Sequence, residues 1–150
     1  MNTAFLEVSN GVALPRERIP ELAFDTFRQE ALDIIENGGN VVHYFAYVQD
    51  DRVKLMAILR KDTLLAAGCN APGAYPSMSR QCEPFHMFER EIAEQFGIRP
   101  EGHPWLKMVR YHPNYLNRAD VFNNNYAHDI PGNYPYYSVE GQEIHEVAVG

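Results

Sequence analysis

The chain has 150 residues, 45% of them hydrophobic and 22% charged, with a formal net charge of −7; this is the size and texture of one folded domain around a single core. An acidic balance excludes a nucleic-acid function, because phosphate backbones are bound by clustered Lys and Arg, and no apolar run approaches the ~20 residues that span a bilayer. The start, MNTAFLEVSNG, lacks the basic flank and apolar stretch of a signal peptide, and the two cysteines, Cys69 and Cys82, form no CxxC spacing, so a cytoplasmic chain with two reduced thiols is expected.

In chain order, TAFLEV at residues 3–8 alternates as a short strand. The pattern then changes period. Ile19, Leu22, Ala23, Phe27, Ala31 and Ile34 recur at helical spacing, Pro20 suits a first helical position and Gly38 a stop, which predicts a first helix across this stretch. NVVHYFAYVQ and RVKLMAILR are β-branched and aromatic runs parted by Asp50 and Asp51, a hairpin signature. TLLAAGCN adds a third strand, and APGAYPSMSR, with two prolines, reads as loop.

The second helix is marked at both ends, by Glu83 or Cys82 at the cap, Pro84 in the first turn and Gly97 after the last. At 100° per residue Phe85, Phe88, Ile92 and Phe96 fall within an arc of roughly 80°, the buried stripe. Arg90 and Glu94 point away from it at i,i+4 and are expected to form an exposed pair, so that Glu94→Ala costs under about 0.5 kcal/mol. Glu89 lies on the flank of the stripe and needs a basic or backbone donor, with roughly 1–3 kcal/mol lost on its removal.

This stretch admits three readings. Glu89 and Glu91 as catalytic acid and base would have to converge, yet adjacent helical residues diverge by about 100°. His86 and Glu89 form an i,i+3 pair of the kind that binds metals in helical carboxylate proteins, with His103 and His112 nearby in sequence, but no second copy of the motif exists. No metal is expected, since Cys69 and Cys82 sit on different elements. The third reading is recognition: a rigid apolar stripe flanked by charge, and a Gly-His-Pro turn presenting a ring beside Trp105.

FEREIAEQFGIRPEGHPWL resembles the signature of the 30-kDa subunit family of respiratory complex I, on Glu89, Arg90, Glu91, Phe96, Gly97, Gly102, His103 and Pro104. The resemblance covers roughly residues 20–112, including the order of helix, hairpin and third strand. It departs at Glu94, where an Asp is usual, and at Trp105, Leu106 and Lys107, where Asp-Leu-Arg is usual. Those departures resemble the related subunits of energy-converting hydrogenases and formate hydrogenlyase, in which such a domain precedes a nickel-iron large subunit. EIHEVAVG at 143–150 looks like the beginning of that large subunit.

The resemblance implies a non-catalytic assembly module without a cofactor of its own, peripheral on the inner face of the membrane. Its partners would be a nickel-iron or 49-kDa-like large subunit and neighbouring iron–sulfur subunits. The residues named above, with Trp105, carry over as interface or structural residues. The alternative is a contribution to a quinone- or ferredoxin-linked site of an NADH dehydrogenase complex, with His103 or Tyr111 as proton donor; the bland reading of His103 is a turn histidine bonded to backbone.

The expected fold is α/β (α+β) in two layers: a mixed sheet of about five strands with two main helices on one face over residues 1–112, then an extended tail over 113–150. Residues 111–137 hold six of nine tyrosines and only three charged residues, with prolines and asparagines that break both periods. That segment is expected to lie ordered on a surface and to present tyrosines to the large subunit.

Overall fold

The computed structural model describes residues 3–110, 114–116 and 121–122. Three strands carry the main sheet: β3 (Asn40–Gln49), β4 (Arg52–Arg60) and β5 (Leu64–Asn70). They pair as an antiparallel meander, Tyr44 opposite Ala57 and Ala57 opposite Ala67. The β3–β4 turn is made by Asp50 and Asp51 at φ 51° and 57°, the left-handed pair that a two-residue hairpin wants and that Asp tolerates.

On the far side of β5 lie two short strands end to end. β1 (Leu6–Val8) runs antiparallel to Leu64–Ala66, and β2 (Glu21–Leu22) runs parallel to Gly68 and Cys69. The five-stranded sheet is therefore mixed, as the sequence predicts. The first helix begins later than its periodicity suggests: α1 spans Phe24–Glu36, and Ile19 to Leu22 lie outside it. The sheet captures that stretch. The Pro20 carbonyl accepts from the Gly68 N–H at 2.9 Å, and the Glu21 carboxylate bonds Lys54 and, at 2.7 Å, Asn70, so tertiary pairing overrides local propensity.

Both helices cover one face. Tyr44, wholly buried, meets Phe27 of α1 with ring centroids 6.3 Å apart and Phe85 at the head of the second helix at 5.4 Å. The core between the layers joins Leu55, Ala57, Leu59, Leu65 and Ala67 of the sheet to Phe27, Ala31, Leu32 and Ile34 of α1 and to Ile92 and Phe96. The second helix, α2 (His86–Phe96), follows a 3-10 turn at Glu83–Phe85. It is flanked by strands the sequence reading leaves out. Residues 71–80, read as loop, contain β6 (Ala74–Pro76) and a 3-10 turn at Met78–Arg80, and β7 (Arg99–Glu101) follows the helix. β6 and β7 pair in parallel with Tyr75 opposite Pro100. A helix joining two parallel strands is a βαβ crossover, and it fixes both ends of α2 in space.

Among the described residues no helix is long and apolar enough to cross a membrane.

Candidate functional site

Helix α2 is enclosed on more sides than its apolar stripe requires. Phe85, Ile92 and Phe96 face the core and Phe88 packs at its margin, as the spacing predicts. Yet Glu89, Arg90, Glu94 and Gln95 are buried as well, Glu89 and Glu94 with no exposed surface. The reason lies beyond the helix. Gly97 at φ 67° ends it with its N–H on the Ala93 carbonyl, β7 leads outward, and the chain over 102–110 turns back along the face that a helical wheel assigns to water.

Glu89 anchors the side before the helix. Its Oε1 accepts the Met78 N–H at 2.8 Å, and its Oε2 accepts the Ser77 hydroxyl at 2.6 Å, the Ser79 N–H at 3.1 Å and the Ser79 hydroxyl. The backbone partner expected for Glu89 is present; the two serine hydroxyls are what the sequence did not reveal. Their only signal is the short SMS run ten residues upstream, which carries no period.

Arg90 and Glu94 hold the other side, and here the expectation of an exposed pair fails. Arg90 donates from Nε to the Lys107 carbonyl at 2.8 Å and from Nη2 to the Met108 carbonyl at 2.7 Å. Glu94 accepts the Val109 N–H at 2.7 Å and the Arg110 N–H at 2.9 Å. The two side chains engage successive peptide groups of one returning segment, which has no regular partner strand and depends on them for its polar groups. Glu91 is the charged residue left at the surface, paired with Arg110 at 2.8 Å.

The Gly-His-Pro turn closes the enclosure. Gly102 has φ 71°, a left-handed conformation that favours glycine whatever the space, and its nearest neighbour is the exposed Arg80 side chain. The His103 side chain is 1% exposed. Its Nδ1 accepts the Trp105 N–H at 3.1 Å, which makes Nε2 the protonated nitrogen, donating to the His86 carbonyl at 3.1 Å. Burial lowers the His103 pKa below its ordinary value, opposed by the His86 carbonyl and by Glu89, whose Oε2 lies 4.0 Å away. With both nitrogens engaged this ring has the geometry of a turn histidine. Pro104 and Trp105 remain at the surface, with Trp105 53% exposed.

The structure thus brings Glu89, Arg90, Phe96, Gly97, Gly102, His103 and Trp105 into one assembly around α2, with Glu91 and Pro104 on its rim. Glu89 and Glu91 do not converge. The His86 and His103 rings lie 4.7 Å apart, but His103 is committed as described; no group of three or more His, Cys, Asp or Glu is placed to hold a metal among the described residues. Cys69 and Cys82 are buried free thiols, and burial pushes the first up to about 12 and raises the second, the inert end of cysteine chemistry. Tyr111 and His112, and most of the tail expected to present tyrosines, lie outside the described residues.

Tyr44 and Tyr75 reach inward toward the same region. Burial raises both phenols, each feels Glu89 and the other ring, and neither hydroxyl meets hydrogen-bond geometry with a partner.

A family model, respiratory-chain NADH dehydrogenase, 30 Kd subunit, matches residues 21–120. That span contains both helices, the meander, the crossover and every signature residue. No curated protein matches the sequence. The chain belongs to the 30-kDa subunit family, whose members are subunits of NADH dehydrogenase-like multisubunit complexes.

Proposed function

We propose that this member of the 30-kDa subunit family is a non-catalytic assembly subunit that docks the large subunit of its parent complex. One observation carries the reading: the buried charges of α2, Glu89, Arg90 and Glu94, are spent within the chain, largely on its own backbone. Glu89 joins α2 to the segment before it, while Arg90 and Glu94 join it to the segment after it. A catalytic acid, base or ligand needs a free lone pair or a proton it can release toward a substrate, and Glu89 and His103 are committed internally. What the arrangement achieves is a stiff, shaped surface with Trp105 at its edge. Interfaces use such anchors, since preorganised surface loses little entropy on binding.

The parent complex is assigned to the hydrogenase or formate hydrogenlyase type, with a nickel-iron large subunit and iron–sulfur neighbours. Support comes from Glu94 and from the Trp105, Leu106, Lys107 run, which depart from the respiratory pattern in that direction. On this reading residues 1–112 form the docking domain and 113–150 lead toward the large subunit, the chain supplies no cofactor, and it reaches the inner face of the membrane through the complex. A quinone- or ferredoxin-linked role with His103 as proton donor is less well supported, because that ring is enclosed and doubly bonded.

The test is purification of the full chain from its source cells through a mild affinity tag. Stoichiometric recovery of a large subunit carrying the parent activity, together with unchanged specific activity when His103 is replaced by Gln in the assembled complex, is the expected result. Recovery of the chain alone, or a loss of turnover with assembly intact in His103→Gln, would refute the assembly role.

A further inference from the structure

Trp105, the chain's single tryptophan, is presented in an unusual electrostatic setting. The Arg90 guanidinium lies 4.8 Å from the ring centroid and the Lys107 ammonium also 4.8 Å. The His86 ring stacks nearby at 6.1 Å. Arg90 is almost wholly buried and fixed by two carbonyls, so it stiffens the indole without being available itself. Lys107 is exposed. No carboxylate pairs with Arg90 or Lys107 among the described residues. Among the described residues, two cations without an ion-pair partner thus lie against one half-exposed aromatic ring. Beside it, Met87 is 50% exposed and, with Pro84, His86 and Glu83, lines a shallow hollow of about 400 Å³.

We propose that this face receives an extended acidic segment of another subunit, a carboxylate meeting Lys107 over the indole and a neighbouring apolar side chain entering the hollow at Met87. The inference rests on the docking function proposed above and names the chemistry of its partner. Charge complementarity selects the occupant: Lys107 is the accessible cation, Arg90 adds to the positive potential from behind, and cations stacked on an indole keep their charge while losing little mobility on binding. An anionic lipid surface fits less well, because Glu83 on the wall of the hollow and the acidic balance of the chain oppose a uniformly negative plane.

The experiment uses the tagged full chain in its parent complex. A zero-length carbodiimide joins an amine to a carboxylate only when they touch, so the complex is treated with it and cross-linked peptides are read by mass spectrometry. We expect Lys107 joined to an Asp or Glu of a second subunit. Lys107→Arg should keep assembly and abolish that cross-link, whereas Trp105→Ala should lower retention of the second subunit by about thirtyfold, the loss a central aromatic anchor carries. A complex that assembles while Lys107 stays as reactive toward an amine label as in the isolated chain overturns this inference and leaves docking intact. A chain that recovers no second subunit overturns both. A blue shift of Trp105 emission with phosphatidylglycerol vesicles but not with phosphatidylcholine vesicles, in a complex without the cross-link, also overturns it and assigns the face to a membrane.

Discussion

In β4 the wholly buried side chains are Leu55, Ala57 and Leu59; in α2 they include Glu89, Glu94 and Gln95 beside Ile92 and Ala93. The meander is held as most sheets are. Its inward residues alternate, its backbone groups pair strand to strand, and apolar burial supplies the stability. The enclosure of α2 is held by another means. Segments 77–80 and 102–110 have little regular structure of their own, and their peptide groups turn to charged side chains of the helix. Hydrogen bonds to charged groups are stronger than neutral ones, and directional. The second region therefore has a defined shape at the cost of tolerance: a sheet position accepts another apolar residue of similar size, while Glu89 accepts almost nothing.

Substitutions at four positions, together with pH, press on that difference. Glu89→Ala strands two backbone N–H groups and two serine hydroxyls in the interior, and should cost roughly 3–5 kcal/mol in urea unfolding; a loss under about 1 kcal/mol would mean water replaces the carboxylate and the enclosure is loose. Leu59→Ala, at a wholly buried sheet position, should cost about 3 kcal/mol, the ordinary cavity penalty. Leu59→Met should restore most of it, as no neutral residue should do at Glu89.

Glu94→Ala comes next, at about 2 kcal/mol, and its effect should be local. The Val109 and Arg110 amides should exchange hydrogen faster while those of β4 keep their protection. Uniform acceleration through the sheet would show that the two regions unfold as one unit. The smallest effect is that of pH. The folded His103 pKa is lowered from 6.5 because burial penalises the charged ring, so its contribution is fully present above pH 6.5 and is lost as pH falls from there through the folded value; protonation also removes the Nδ1 acceptor of the Trp105 N–H. His103→Gln should remove that part of the slope. An identical pH profile for the variant below 6.5 would contradict the assigned tautomer.

The meander was legible because its signals are local: β-branched and aromatic runs parted by an Asp-Asp turn. The apolar stripe of α2 and its Gly97 stop were legible for the same reason. The start of α1 was misread because Ile19 and Leu22 satisfy helical spacing by coincidence while Glu21 finds its partners, Lys54 and Asn70, far along the chain. Arg90 and Glu94 were misread as a surface pair because a helical wheel knows only one neighbour, the core.

The sequence by itself determined the class of fold, the order of its main elements, and a signature stretch whose charges and Gly-His-Pro turn resemble a known family. It did so through hydrophobic period and turn chemistry, which act over a few residues. Only the tertiary structure decided what those charges do. Whether Glu94 meets water or the Val109 and Arg110 amides depends on where a non-periodic segment returns after β7, and that path is set by the pairing of β6 with β7, a contact between residues 74–76 and 99–101 that no local pattern encodes.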